Sequence, residues 1–329
     1  MFKQNSKFSI MLDVLILTFL SSAYVFLEYT TDLFGMMPVM ALIIGIFLPI
    51  YIITVSYRCK IKYVILDLIF ILTAIIATGK LAFKTNIFDL LLSFLSITVL
   101  PVSVGFCFKN AYTYLKTLIV GTFSNTIYLI ANLLNIIFID KINITEDIIK
   151  PLISVQYSDL KAVVPDLAIT LNDIVNYITL NAPCMFIIIS MFVALFYISL
   201  SKKLISIIYK CEINGIGHFS EIHLNRSISF AFFIFVILSL FSTGANLFSD
   251  ALSNVITIML TVFFVNGLSF IDFYFKKTGL WTVVRVIIYI LVISVLSLFF
   301  VFSPVLIITL IGLSDCTGNY RKLNDNVNS

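Results

Sequence analysis

Charge is what this chain lacks most. Only 12% of its 329 residues are Asp, Glu, Lys or Arg, where an ordinary soluble domain carries about 25%. With 60% of the residues apolar, a water-soluble fold would have no way to hide its surface, and that class is excluded. The formal charge of +4 is too small for a nucleic-acid-binding surface. Histidine is nearly missing: His218 and His223 lie five apart and do not share a helical face, so no metal site is expected. His-Glu-x-x-His, Gly-x-Ser-x-Gly and Gly-x-x-x-x-Gly-Lys-Ser/Thr are all absent, which leaves no recognisable zinc hydrolase, serine hydrolase or P-loop ATPase. No catalytic residue and no cofactor is expected. The five cysteines, Cys59, Cys107, Cys184, Cys211 and Cys316, form no Cys-x-x-Cys pair. Their odd number argues against a disulfide framework, and they read as small buried apolar residues.

What the chain has instead is long apolar runs, with a mean hydropathy of +1.10. A run near 20 residues crosses a hydrocarbon core of about 30 Å at 1.5 Å per residue. Such runs fall at about 9 to 28, 33 to 56, 63 to 79, 87 to 107, 117 to 139, 182 to 201, 227 to 247, 251 to 275 and 282 to 301. They predict an all-α, polytopic transmembrane helical bundle of about nine segments. Lys3 and Lys7 precede the first run as in a signal peptide, with Ser21-Ser22-Ala23 as a small-residue site. Because that run continues to Leu27 and further spans follow, it is read as a retained helix. Beyond Pro304, the run Val305 to Leu313 is short for a span. It reads either as a half-helix folding back or as the end of a long tilted helix.

Lys and Arg distribution sets the orientation. With the N-terminus inside, cytoplasmic segments hold 14 positive residues and outside segments 5, so the N-terminus is placed in the cytoplasm. The Ile, Asn and Lys bias suggests a bacterial source, hence the bacterial plasma membrane, with the lipid bilayer as the obligatory partner and no nucleic acid. The one long outside loop, about Asp140 to Leu180, carries an apolar stripe of Leu160, Val163, Val164, Leu167, Leu171, Ile174, Val175 and Ile178. Pro165 suits the first turn of a helix starting there. The stripe reads as a helix on the membrane surface, the alternative being a lid over an outward-facing cavity. The chain is treated as one integral membrane domain, 1–329: a six-helix part at 1–201, a cytoplasmic loop at 202–226 and C-terminal helices at 227–329.

Polar groups inside a bilayer are costly unless they face other helices or water, so each is a candidate for function. In the fifth segment Asn125, Tyr128, Asn132 and Asn135 recur at helical spacing on one face. That face either binds a polar ligand or joins helices by hydrogen bonds. Asp13 and Asp67 lie within two turns of the inner boundary, where a Lys or Arg partner is expected. Asp272 precedes Lys276 and Lys277, and an ion pair of Asp272 with Arg285 is expected. Gly35, Pro38, Gly45, Pro49, Pro101, Gly105 and Gly244 mark sites for helix breaks or kinks.

In the C-terminal third, Asn266-Gly267-Leu268-Ser269-Phe270-Ile271-Asp272-Phe273-Tyr274, then Lys276-Lys277 and Arg285, precede the ending Leu310-Ile311-Gly312-Leu313-Ser314-Asp315 with Arg321. With Phe219-Ser220-Glu221 ahead of a new helix, this pattern resembles the YybS-like family of bacterial membrane proteins. Tyr320 alone stands where the family carries several aromatics, and Cys316-Thr317-Gly318 departs from its pattern. The resemblance implies no particular activity. More remotely, the chain is similar to the substrate-binding S components of energy-coupling-factor transporters, which implies a separate ATPase module as partner. Thr18 and Ser22, four apart on the first segment, approach the small-residue contact such proteins use. The expected function is a small-molecule-binding or transport-related subunit, the alternative a structural or regulatory protein acting through protein contacts.

Overall fold

A backbone in lipid finds no water to bond, so every apolar run must satisfy its own amides, and the helix does this within one segment. The computed structural model describes residues 7–30, 37–139, 141–163, 169–209, 213, 215–242, 247–279 and 304–321. In order they form α1 (Lys7–Tyr29), α2 (Met37–Arg58), α3 (Ile61–Thr78), α4 (Ile87–Lys109), α5 (Tyr114–Phe138), α6 (Lys150–Val163), α7 (Leu171–Tyr209), α8 (Arg226–Phe241), α9 (Leu247–Lys277) and α10 (Pro304–Gly318). Among the described residues seven helices, α1 to α5 with α7 and α9, are long and apolar enough to cross a membrane; α8 and α10 are shorter apolar helices. The protein is an all-α polytopic membrane protein. The expected segment at 282–301 lies outside the described residues.

Polar residues fix where the helices start. Asn86, Thr113 and Asn225 cap α4, α5 and α8 by accepting from the amides of Phe88, Lys116 and Ser227. At α7 the cap is reciprocal: the Thr170 amide donates to Asp173 Oδ2 at 2.9 Å, and the Asp173 amide donates to Thr170 Oγ1 at 3.2 Å. This corrects the reading of the outer loop. Leu171, Ile174, Val175 and Ile178 belong to the first turns of a 39-residue helix that runs on through the membrane, not to a separate surface helix. The loop's own helix is α6, and Pro165 lies outside the described residues.

At the sites expected to break or kink a helix, the described helices are continuous. Pro49 and Pro101 sit inside unbroken helices, as do Gly45 and Gly105, while Pro38 occupies the first turn of α2. Gly35 and Gly244 fall outside the described residues. Described cysteines Cys59, Cys107, Cys184 and Cys316 are buried and free.

The chain divides into two units: Met1–Val175 with Ile189–Ile216, and Asn176–Ile188 with Gly217–Ser329. In the first, Leu17 and Val25 of α1, Leu48, Ile52 and Val55 of α2, Ile71 and Ile75 of α3, and Leu90 and Ile97 of α4 make one apolar core. α4 lies close enough on α2 that a Cβ at Gly105 would stand 2.8 Å from the Ile53 carbonyl oxygen. In the second, α9 and α10 cross at two glycines. A Cβ at Gly267 would stand 2.0 Å from the Ile308 carbonyl oxygen, and one at Gly312 1.9 Å from that of Phe263. Small residues at such crossings let backbones approach in membranes, where packing drives association.

Candidate functional site

Three polar clusters lie in the described helices, two in the first unit and one in the second. The side of the membrane where α1 starts is called near and the side where it ends far.

At the near end, Arg58 Nη2 donates to Asp13 Oδ2 at 2.8 Å and the Tyr51 hydroxyl to Asp13 Oδ1 at 2.7 Å. Asp13 thus has the expected basic partner, one helix away. Asp67 does not. It is 3% exposed, neither carboxyl oxygen has a hydrogen-bond partner among the described residues, and the charge beside it is Asp13.

At the far end α1, α2, α4, α5 and α7 converge. Ser93 donates to Glu28 Oε2 at 3.3 Å, and the hydroxyls of Tyr24 and Tyr128 both interact with that of Ser96. Tyr24 faces Glu28, Tyr128 and Tyr197 together. Pro49 has no amide hydrogen, so the Gly45 carbonyl one turn earlier loses its helical partner. The Tyr197 hydroxyl supplies the replacement at 3.1 Å. Gly45 also brings its backbone against the Tyr24 ring, since a Cβ there would lie 3.4 Å from Tyr24 Cε2.

The four residues of the α5 face take separate partners. Asn125 donates to Ser190 Oγ on α7 at 3.1 Å, and Asn135 to Asp89 Oδ1 on α4 at 3.2 Å. Tyr128 joins the Glu28 cluster, and Asn132 is half-buried. Tyr197 escapes a reading that seeks polar residues sharing one helix, because it comes from α7, whereas Tyr24 and Glu28, four apart on α1, share a face. Glu28 still had a signal, being a carboxylate at the very end of an apolar run.

The third cluster assembles Phe219–Glu221, α9 and α10 around Arg321, whose side chain is fully buried. Its Nε and Nη2 donate to Asp315 Oδ2 at 3.0 and 2.6 Å. Nη2 also reaches Asn266 Oδ1 at 3.0 Å and the Ile222 carbonyl at 2.7 Å. Nη1 donates to the Ser220 carbonyl and to Ser269 Oγ, both at 2.9 Å. Asn266 Nδ2 bonds the Gly312 carbonyl at 2.8 Å and Asp315 Oδ2 at 3.3 Å. His223 Nδ1 lies 3.2 Å from the same oxygen. A guanidinium has five N–H donors in a fixed fork, and here every arm is used. With its donors spent, this cluster locks the segment after α10 to α9 and to Phe219–Glu221. Its members, Ile222 and His223 apart, are among those of the C-terminal resemblance; the meeting of the three segments could not be read from spacing, because tens of residues separate them. Asp272 is half-buried, and Arg285 lies outside the described residues.

Among the described residues no group of His, Cys, Asp and Glu could hold a metal ion. Neither the curated proteins nor the solved structures contain a match. A family model described as a predicted membrane protein, DUF2232, matches residues 22–316, taking in all three clusters except Asp13 and Arg321. The chain therefore belongs to the DUF2232 family of predicted membrane proteins.

Proposed function

We propose that this protein is a membrane-embedded binding or transport-related subunit whose ligand is a small organic cation held at the far end of the first unit. The observation that carries this reading is the convergence of Tyr24, Tyr128 and Tyr197 with Glu28 beside the Gly45 carbonyl that Tyr197 caps. Aromatic faces and a carboxylate attract an ammonium group. Glu28 is exposed, which gives the cluster a mouth. With the N-terminus in the cytoplasm of a bacterium, as the Lys and Arg distribution indicates, that mouth faces outside, on the side of α6. The α5 face, Asn125, Tyr128, Asn132 and Asn135, then forms one wall. The similarity to transporter S components adds an ATPase module as partner.

The test is thermal stability of the full chain in detergent with a series of organic ammonium ions and neutral isosteres of the same size. Cations alone should raise the melting temperature, and Glu28→Gln should abolish the effect. Equal stabilisation by the neutral isosteres, or none by any cation, would sink the reading. A second reading, a scaffold acting through protein contacts, is favoured by the Asn125–Ser190 and Asn135–Asp89 bonds, which join helices. Untargeted mass spectrometry of co-purifying molecules separates the two. A metabolite lost in Asn125→Leu/Asn132→Leu supports binding, whereas a partner protein retained in both, without a metabolite, supports the scaffold.

A further inference from the structure

The near end of the first unit holds a carboxyl with no partner among the described residues. Asp67 is 3% exposed and both its oxygens are unpartnered among the described residues, although buried polar atoms are bonded in the great majority of cases. The charges around it are already committed. Asp13 on α1, which adds repulsion, is held by Arg58 and Tyr51 of α2. Lys109, at the end of α4, donates to the Cys59 carbonyl. On α3 itself, Lys62 is exposed and lies over the Tyr63 ring. An unpaired carboxylate in a low-dielectric interior takes up a proton rather than stay charged.

We propose that Asp67 is a proton-binding site of the membrane domain, occupied as the neutral acid at rest, with the Asp13–Arg58 pair as its fixed electrostatic neighbour. Such a site serves coupling. Releasing the proton creates a second buried negative charge beside Asp13, which the α1–α3 interface tolerates only by rearranging or by admitting water or a cation. Asp13 and Glu28 lie on the same helix, with buried, unpartnered Ser21 between them, so a change at α1 reaches both ends of the first unit. The site stands on Asp67 alone and does not require the far-end ligand.

Dicyclohexylcarbodiimide tests this on the full-length protein in lipid nanodiscs. The reagent enters apolar phases and reacts with a protonated carboxyl: the acid proton moves to a carbodiimide nitrogen and the carboxyl oxygen bonds its carbon. Rearrangement to the N-acylurea then retains every atom, so the peptide gains the whole mass of the reagent. The expected result is an adduct at Asp67, absent in Asp67→Asn, whose yield falls about tenfold per pH unit above the midpoint. Asp13 should remain unlabelled. In parallel, infrared spectroscopy should show a protonated-acid carbonyl band that disappears in Asp67→Asn, a readout independent of labelling. No adduct and no such band at any pH from mildly acidic to mildly alkaline would overturn the proposal. So would protection of Asp67 by sodium at constant pH, which would make the occupant a metal cation.

Discussion

Two aspartates, one in each unit, are almost equally buried and are treated in opposite ways. Asp315 receives Arg321, Asn266 and His223 on one carboxyl oxygen, while among the described residues Asp67 has a partner on neither. Burial alone therefore does not say what a charge is for. A carboxylate inside a low-dielectric region is stable as an ion only where hydrogen bonds and a countercharge replace its water. At Asp315 Oδ2 the second unit makes such a replacement, which ties the segment after α10 to α9 and to the turn Phe219–Glu221. The first unit leaves a carboxyl without a partner among the described residues, Asp67 on the near side, and gathers Glu28 with tyrosines on the far side.

The difference can be broken most severely at Arg321. Arg321→Met removes the countercharge and strands Asp315, and loss of one partner of a buried pair costs about 3–5 kcal/mol. Limited proteolysis should then release peptides from the α9 and α10 region while those from α1 to α5 keep their protection. Protection unchanged in both would mean that the lock is idle. Asp315→Asn should approach the same loss from the other side, because it keeps the shape but leaves a guanidinium unpaired.

Next in size is the helix crossing behind the lock. Gly312→Ala sets a methyl group 1.9 Å from the Phe263 carbonyl oxygen, so the two backbones must separate. Overpacking of this kind typically costs about 1–3 kcal/mol. A thermal melt in detergent should fall accordingly, and the Gly45→Ala variant, whose nearest neighbour is the yielding Tyr24 ring at 3.4 Å, should fall less. Equal losses would show that the crossing is not the tight point.

The two regions also differ in how far their sequence reveals them. Membrane helices announce themselves by length and hydropathy, and the α5 face was visible because one helix carries all four residues at the proper spacing. Asp13 could be given a basic partner because charges near a membrane boundary are few. The same logic fails for Asp67, since no rule of spacing says that Arg58 is taken by Asp13. The α7 start was misplaced because Pro165 is the louder signal, whereas the Thr170 and Asp173 cap decides it through two hydrogen bonds. The Gly45 carbonyl could be foreseen as freed by Pro49, but not that a tyrosine from α7 would close it. Contacts between distant segments are invisible to periodicity, and both the far-end tyrosines and the Arg321 lock are of that kind.

A smaller effect is expected on the α5 wall. Asn125→Leu removes one interhelical hydrogen bond to Ser190, and such bonds in membranes contribute about 0.6 kcal/mol on average. Stability should barely change while the response to organic cations weakens. A loss of several degrees in the melt without any effect on ligand response would move Asn125 from binding to structure.

The smallest effect belongs to Asp67→Asn and is the sharpest test of the contrast. If Asp67 rests as the neutral acid, the amide replaces it with nearly the same shape and no change of charge, so stability at neutral pH should shift by no more than about 0.5 kcal/mol, the range of a substitution that breaks no special feature. If the group were ionised at neutral pH, the amide would relieve its repulsion with Asp13 and its unsatisfied burial, and the protein should gain clearly more than that. The sign of the pH dependence completes the test. Raising the pH should destabilise the wild type as the proton leaves a site with no other partner, and should leave Asp67→Asn unaffected in that range. Asp315→Asn, the same substitution in the second unit, should be costly throughout, because there the negative charge is what its neighbours were arranged to meet.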